Sequence, residues 1–356
     1  MTSGGTGERD GVIHSYLRRD LASLALFDST DTFVRPDSRV GKVLYILSST
    51  EDRVGRALSE HPGVVRAASV AVPGSGLEYS FYVAAPRDLA GIFAGETGPR
   101  LDATFDGRVR LESYAVEREL RAGQDQTLAL RWRTPEAADA STPDYNAYVR
   151  LLDQSQKAHS GLDFRFYDKA QWQPGDEITW WRRLPAPADL APGVYSYLVG
   201  LYTPTGKSTY RNAAVADAGG APLGDGIRLG PLTVRSAGAA NPSQPLAVAF
   251  GSDVLLRGYD LEPPTCAGGT LPVVLYWQAL DSLDRDYTVF AQLFGADGKV
   301  AAQHDSQPAR GSYPTTGWLP GDTIRDGHTV QLPLGLAPGQ YSFAVGLYYL
   351  PTGERL

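Results

Sequence analysis

Four aromatic side chains have the clearest capacity for recognition chemistry in this sequence, because a flat ring can stack on the apolar face of a glycan. Trp181 follows Trp180 in a predicted strand, so alternation directs one ring to the core and the other outward. Trp172, Tyr313 and Trp318 stand beside predicted turns and could stack in the same way. The alternative is packing in the core or at a sheet edge. The recurrence of Trp172 and Trp318 at equivalent positions of a repeat favours turn anchoring.

Residues suited to catalysis or metal binding are scattered. Asp281, Asp284 and Asp286 lie within one short run that could bind calcium, although solvated aspartates before a strand are commoner. The 5 histidines form no pair at ligand spacing and are expected at the surface or in turns. Cys266 stands alone, which excludes an intrachain disulfide and a cysteine-based metal site. We therefore predict no catalytic residue, metal or cofactor, while a carboxylate pair from separate loops, as in glycoside hydrolases, stays open.

Composition places the chain among soluble globular proteins. Of its 356 residues, 42% are hydrophobic and 21% are charged, which differs from the charge-rich profile of disorder and allows two or three cores. The net charge of −7 is spread along the chain without a basic run, so nucleic acid is not an expected partner. No apolar run approaches the roughly 18 residues of a membrane span, and the first residues show no signal-peptide pattern.

The chain contains an internal repeat of roughly a hundred residues. Each repeated piece is rich in branched and aromatic residues, with near period-two alternation, and is bounded by Pro-Gly turn chemistry. Because a sheet buries only one face, each copy must fold two sheets together, which predicts two β-sandwiches. The matching pieces are Val109–Tyr114 with Val254–Tyr259, Leu128–Trp132 with Val273–Trp277, Trp172–Asp176 with Trp318–Asp322, and Ala191–Tyr210 with Ala337–Leu356.

We predict a mainly β fold in which tandem immunoglobulin-like β-sandwiches follow a small α/β segment. The predicted segments are the α/β segment at 1–98, the first sandwich at 99–235, a linker at 236–246 and the second sandwich at 247–356. Inside the α/β segment, periodicity predicts helices over Ile13–Phe27 and up to Glu60, and strands over Lys42–Ser48, Val64–Val72 and Leu77–Ala84.

The two sandwiches differ at their last strand. The first continues to a predicted strand at Ile227–Val234, whereas the second stops at Leu356. An unpaired sheet edge invites pairing with another chain. We therefore expect either that this chain is shorter than the natural gene product or that another strand covers the edge.

The second repeat resembles a known family in a run of motifs. These are Tyr276–Ala279, Asp286–Phe290, Asp305, Gly311–Thr315, Trp318–Asp322, Gly346–Tyr348 and Thr352–Leu356. The run resembles the extracytoplasmic C-terminal region of bacterial membrane glycosyltransferases of the protein O-mannosyltransferase type, which use lipid-phosphate-linked sugar donors. The likeness is strongest over 250–356 and weaker over 105–205, and the unit near 40–85 is similar to the soluble segment after the membrane helices.

This resemblance implies a non-catalytic role, because the family's catalytic acidic residue lies between membrane helices that this sequence lacks. The expected function is an extracytoplasmic or cell-surface accessory region, structural or interacting with a glycan or acceptor. Its expected partners are a cell-envelope polymer and a membrane-embedded glycosyltransferase portion. The alternative is a free-standing carbohydrate-binding or adhesion module, and a hydrolase with acids from separate loops is a third hypothesis.

Overall fold

The structure is a computed structural model that describes residues 30–48, 52–74, 76–93, 96, 98–235, 241–262 and 267–356. Within these ranges the chain is mainly β, and its antiparallel strands form five sheets. The predicted fold class of tandem β-sandwiches is confirmed. The helix predicted over Ile13–Phe27 lies outside the described residues. No helix in the described part of the chain combines the length and the apolar character of a membrane span.

A small α/β unit precedes the sandwiches. Its elements are β1 (Thr32–Arg35), β2 (Val43–Leu47), α1 (Arg53–Glu60), β3 (Val64–Val72), β4 (Leu77–Ala84) and a 3-10 turn at Pro86–Leu89. Strands β2, β4 and β3 pair in that order, and they lie where the sequence predicts the three strands of this unit. Helix α1 starts after Asp52, whose Oδ1 accepts a hydrogen bond from the Gly55 backbone N–H at 2.7 Å and caps the first turn.

The first sandwich consists of two antiparallel sheets. Its strands are β5 (Arg100–Phe105), β6 (Val109–Ala115), β7 (Asp125–Arg133), β8 (Asn146–Asp153), β9 (Ala158–Arg165), β10 (Glu177–Pro185), β11 (Gly193–Pro204), β12 (Tyr210–Asn212), β13 (Val215–Ala216), β14 (Pro222–Gly224) and β15 (Ile227–Val234), with a 3-10 turn at Lys169–Gln171. One sheet has the order β1-β10-β7-β6-β5-β13-β14. The other has the order β12-β11-β8-β9, and β15 also pairs with β11.

The second sandwich repeats this plan with fewer strands. Its strands are β16 (Gln244–Phe250), β17 (Val254–Leu261), β18 (Thr270–Ala279), β19 (Tyr287–Phe294), β20 (Val300–Ser306), β21 (Thr323–Gln331), β22 (Ser342–Tyr349) and β23 (Glu354–Arg355), with 3-10 turns at Pro308–Gly311 and Thr315–Gly317. The sheets have the orders β16-β17-β18-β21 and β20-β19-β22-β23. Each sandwich therefore packs two antiparallel sheets around its own core.

Aromatic rings fill the space between the sheets at equivalent positions. In the first sandwich the rings of Phe105 and Trp132 have centroids 5.3 Å apart, and Trp132 also meets Trp180 at 5.6 Å. In the second sandwich Phe250 and Trp277 repeat the first contact at 5.3 Å. Both tryptophans of the repeat, Trp132 and Trp277, are fully buried. The sequence repeat is thus a repeat of core packing.

The two sandwiches also touch each other. The backbone N–H of Val194 in β11 donates to the carbonyl of Ser312 at 2.9 Å, and the Val194 side chain joins the hydrophobic core of the second sandwich. The Thr233 hydroxyl in β15 donates to the Gly317 carbonyl. The end of the strand that completes the first sandwich therefore lies against the second.

Candidate functional site

The three turn aromatics predicted as glycan-stacking residues belong to a corner that recurs in both sandwiches. Trp172 lies in the first corner, and Trp318 and Tyr313 lie in the second. The indole N–H of Trp172 donates to the backbone carbonyl of Tyr167 at 2.9 Å, and the indole N–H of Trp318 donates to that of Tyr313 at 3.0 Å. Trp172, Trp318 and Tyr313 are all buried. A sugar needs an exposed ring face, so these side chains act as turn anchors, which was the alternative that the sequence left open.

The carboxylates of the two corners have different partners. Asp322 Oδ2 accepts from the Tyr313 hydroxyl at 2.5 Å, and Asp322 Oδ1 accepts from the Arg235 guanidinium at 2.9 Å. In the first sandwich, Asp176 Oδ1 and the Tyr167 hydroxyl are both buried without a hydrogen-bond partner. Burial raises the pKa of Asp176 to about 6. The polar groups of this corner are therefore hydrogen-bonded in the second sandwich and partly unpaired in the first.

Trp181, the fourth predicted residue, points away from the core as alternation predicted, but it does not reach solvent. The α/β unit covers it, and only 5% of the residue is exposed. Its ring meets Phe93 edge-on at 4.7 Å, its indole N–H donates to Glu96 Oε2 at 2.6 Å, and the Arg53 guanidinium lies 4.9 Å from the ring centroid. In this fold Trp181 joins the α/β unit to the first sandwich and presents no face to a ligand.

One histidine, His328, lies in the interior instead of at the expected surface or turn position, and it contacts the half-buried His304. His328 is buried, and its Nδ1 lies 3.0 Å from His304 Nδ1. His328 Nε2 lies 2.8 Å from Asp326 Oδ2, which also accepts from the Trp277 indole at 3.2 Å. The prediction for His328 is wrong because spacing along the chain does not show that β20 and β21 face each other across the core.

The aspartate run considered for calcium does not form a ligand cluster. The Asp284 side chain is 85% exposed, and Asp281 Oδ1 accepts from the Ser282 backbone N–H at 2.7 Å. Asp286 instead faces a different surface, described next. Across the described ranges, no group of three His, Cys, Asp or Glu side chains is placed to hold a metal ion.

An open groove of about 580 Å³ lies at one end of the outer face of the sheet β20-β19-β22-β23. Strand β19 runs antiparallel to both neighbours, so its start meets the ends of β20 and β22. Leu347 points into the core, so Tyr348, the next residue, points outward. We call this surface the Tyr348 groove, and its principal lining residues are Asp286, Asp305, Gln307, Tyr348, Tyr349 and Leu350.

The Tyr348 groove is rich in hydrogen-bond acceptors. The Tyr348 hydroxyl donates to Asp305 Oδ2 at 3.1 Å. The pKa of Tyr348 is raised, mainly by burial and secondly by this carboxylate. Asp286 Oδ1 accepts from the backbone N–H of Thr316 at 3.1 Å and from its hydroxyl at 2.7 Å. Within the described part of the chain, no donor reaches Asp305 Oδ1 or Asp286 Oδ2. Both oxygens can therefore accept hydrogen bonds from a ligand.

The first sandwich has an equivalent surface, but one of its carboxylates is paired with an arginine. Asp163 occupies the position of Asp305, because Asp163 is paired with Tyr148 and Asp305 with Phe290, and these two aromatic residues are equivalent in the repeat. Arg150 Nη2 donates to Asp163 Oδ2 at 2.6 Å, which neutralises its charge. In the second sandwich the residue equivalent to Arg150 is Gln292, which carries no charge.

The second carboxylate of this equivalent surface is also paired in the first sandwich. Asp144, the equivalent of Asp286, lies 3.3 Å from Lys169 Nζ. The second sandwich has Thr315 at the position of Lys169. The two sandwiches therefore share a backbone surface, and only the second leaves its acidic side chains available.

Sequence analysis did not select Tyr348 or Asp305 as site residues. They are 43 residues apart in the sequence and meet through two strand pairings. The signal that could have found them is the repeat, since Tyr202 matches Tyr348 and Asp163 matches Asp305. Such a match marks a shared surface and does not by itself indicate binding.

The fold defines the chain as a tandem β-sandwich protein with a small α/β unit. No family model matches the sequence, and no curated protein matches it. Among solved structures, the crystal structure of the C-terminal domain of wzt is similar at 13% sequence identity and a TM-score of 0.28, covering 40% of this chain and 83% of that chain. A similarity this weak supports no inference about function. The resemblance to membrane glycosyltransferases therefore rests on the motifs of the second repeat.

Proposed function

We propose that this chain is a non-catalytic glycan-binding region and that the Tyr348 groove is its binding site. The observation that supports this proposal is the placement of two carboxylate oxygens without donors beside an outward tyrosine ring in an open groove. Sugar hydroxyls donate to carboxylates, and the C–H face of a sugar packs on an aromatic ring. Leu350, which is 65% exposed, adds apolar surface at the rim of the groove.

The charge of the groove favours neutral or amino sugars over anionic ones. Asp286 and Asp305 would repel a uronate, sulfate or phosphate group, and they would attract an ammonium group. Two cations lie near this rim: Arg285 is engaged with Glu354 at 3.1 Å and with the Tyr349 ring at 5.2 Å, and the Arg355 guanidinium lies 5.0 Å from the Phe290 ring centroid. A ligand with hydroxyl or amino donors and no acidic group is the one that fits.

The biological setting that we propose is that of an accessory region of a membrane glycosyltransferase at a bacterial cell envelope. The motifs between Tyr276 and Leu356 support this setting. The alternative, a free-standing carbohydrate-binding or adhesion module, uses the same groove. The coding sequence on either side of this chain distinguishes the two, because membrane helices in the same reading frame support the accessory role. In both cases we expect no turnover of glycosides, which a broad substrate panel tests.

The Tyr348→Ala variant is expected to bind neutral or amino-sugar oligosaccharides at least about tenfold more weakly than the wild-type chain, because the stacking surface is removed. A glycan array followed by calorimetry on the best ligand measures this change. The matched control is Tyr202→Ala, which removes the equivalent ring in the first sandwich and should leave affinity unchanged. Equal losses in both variants, unchanged affinity in Tyr348→Ala, or a preference for acidic glycans would contradict the proposal.

A further inference from the structure

The second sandwich is polar inside where β20 faces β21, whereas the equivalent side of the first sandwich is aromatic. Strands β20 and β21 are edge strands of the two different sheets. The pairing register places Asp326 where the first sandwich has Trp180, and Ser306 where it has Phe164. In the first sandwich these two rings pack edge-on at 5.2 Å and join β9 to β10. The second sandwich therefore joins the equivalent strands by a different contact.

A series of polar side chains replaces the aromatic contact. Asp326 is fully buried, and its Oδ1 accepts from the Ala309 backbone N–H at 2.9 Å. His328 Nδ1 on β21 lies 3.0 Å from His304 Nδ1 on β20, and the planes of the two rings cross at 80°. We call these two residues the histidine pair. Ser306, on the same face of β20 as His304, has a buried hydroxyl without a hydrogen-bond partner among the described residues.

The hydrogen bonds of Asp326 determine which nitrogen of His328 carries a proton. A carboxylate only accepts, and this one already accepts from the Trp277 indole at 3.2 Å. His328 Nε2 lies 2.8 Å from the same oxygen and must therefore donate to it. The two Nδ1 atoms of the histidine pair have room for one proton between them, because a hydrogen bond joins one donor to one acceptor. The contact is thus compatible with one neutral imidazole and incompatible with two protonated ones.

The surroundings of the histidine pair disfavour a second positive charge. The pKa of His304 is lowered from its ordinary value of 6.5, first by burial and then by His328. The strands that pack on the pair add no charge at two points, since β19 places Ala291 opposite His304 and β18 contributes the uncharged Trp277 indole. The charged groups that act on His304 are Asp305 on β20 and Asp326 on β21, which raise its pKa, and Arg310 in the turn after β20, which lowers it.

We propose that the histidine pair is a pH-sensitive contact between the two sheets, which holds β20 against β21 at neutral pH and breaks when acid protonates both imidazoles. Two N–H groups would then point at each other, and two positive charges would lie about 3 Å apart in a partly buried site. Strand β20 would separate from β21, while its backbone pairing with β19 remains. The first sandwich has no such response here, because its two rings do not titrate.

The sign of the pH effect follows from the pKa of His304. Because this pKa is lower in the closed arrangement than in the open one, the open arrangement binds more protons below about pH 6.5. The closed arrangement therefore loses stability as pH falls below this value. Strand β20 also carries Asp305, so its release would displace one wall of the Tyr348 groove. That consequence rests on the proposed function, whereas the pH response of β20 is tested without a glycan.

Amide hydrogen exchange on the full chain at about pH 7.5 and about pH 5 measures the response, with each rate divided by the intrinsic rate at that pH. We expect the protection of Val300–Ser306 to be at least about tenfold lower at the acid pH. Protection of Thr270–Ala279, in the centre of the facing sheet, should change by less than about twofold. This difference separates local opening from unfolding of the whole sandwich.

Variants of the histidine pair identify the titrating group. His304→Gln keeps an N–H donor for His328 Nδ1 and does not titrate, so the protection of Val300–Ser306 should change by less than about twofold between the two pH values. His304→Leu places the residue of the first sandwich, Leu162, at this position and should remove the response in the same way. Thermal unfolding verifies that each variant is folded.

The matched control is His159→Gln in the first sandwich. His159 is also half-buried, and its Nε2 lies 2.8 Å from Asp153 Oδ2. This variant should keep the full acid response of Val300–Ser306. Equal protection of β20 at both pH values in the wild-type chain, an unchanged response in the folded His304 variants, or equal loss of protection in Val300–Ser306 and Thr270–Ala279 would overturn the proposal.

Discussion

Replacing Asp322 by asparagine is expected to destabilise the second sandwich by about 3 kcal/mol, whereas the same change at Asp176 should stabilise the first by about 1–2 kcal/mol at pH 7. The two residues occupy the same position of the repeat and are 3% and 2% exposed. The opposite signs follow from their partners. Asp322 accepts from Tyr313 and Arg235, and an amide would place N–H donors toward a guanidinium.

Asp176 has no comparable compensation. One of its oxygens accepts from the Gln173 backbone N–H at 3.1 Å, and the other has no partner. The charge is therefore desolvated and weakly bonded, which is why the pKa of Asp176 is about 6. Asparagine keeps the acceptor for Gln173 and removes the charge. Destabilisation by Asp176→Asn at pH 7, or stabilisation by Asp322→Asn, would show that hydrogen-bond partners do not determine the effect of these two carboxylates on stability.

The Asp176 effect should depend on pH with a defined sign. Because its pKa is raised on folding from 3.8 to about 6, the folded state binds more protons than the unfolded state between these values. The free energy of unfolding that this carboxyl contributes therefore falls as pH rises from about 4 to 6. The stability difference between Asp176→Asn and the wild-type chain should be small at pH 4 and fully developed at pH 7. Urea unfolding of both chains at each pH measures it.

Replacing Trp181 by alanine is expected to cost about 3–5 kcal/mol of stability and to loosen the α/β unit from the first sandwich. The change removes the ring that packs on Phe93 and the indole that donates to Glu96. It also leaves a cavity between two units that share one hydrophobic cluster. Denaturant unfolding measures the cost, and limited proteolysis near residues 86–98 reports the loosening.

The outcome also separates two roles for Trp181. A structural joint predicts lost stability, while a glycan-stacking role predicts lost binding at unchanged stability. Tyr210→Ala is the control, because its ring is 65% exposed and its removal should change stability by less than about 0.5 kcal/mol. A change below about 1 kcal/mol for Trp181→Ala would contradict the structural role.

Local pattern in the sequence predicts the strands well, because alternation and turn chemistry act over a few residues. Trp180 and Trp181 point in opposite directions as predicted. What alternation does not contain is the identity of the surface that packs against an outward face. The α/β unit supplies that surface for Trp181, and no local signal around residue 181 indicates it.

The site is harder to predict than the fold because its residues meet through strand pairing. Asp305 and Tyr348 come together only when β19 lies between β20 and β22. The difference between the two copies depends on Arg150 and Gln292, which face outward on equivalent strands. The repeat predicts that the two surfaces are related, whereas their electrostatics follow only from the pairing register.

The contact between the sandwiches has a consequence for the order in which this protein matures. Near the end of the strand that completes the first sandwich, Thr233 is bonded to Gly317, and Arg235, the residue after this strand, reaches Asp322. Because synthesis runs from the N-terminus, the first sandwich can finish before the second emerges from the ribosome. The folded first sandwich then presents Thr233 and Arg235 to the second sandwich while the second folds. Misfolding of the first sandwich should therefore also remove these contacts from the second.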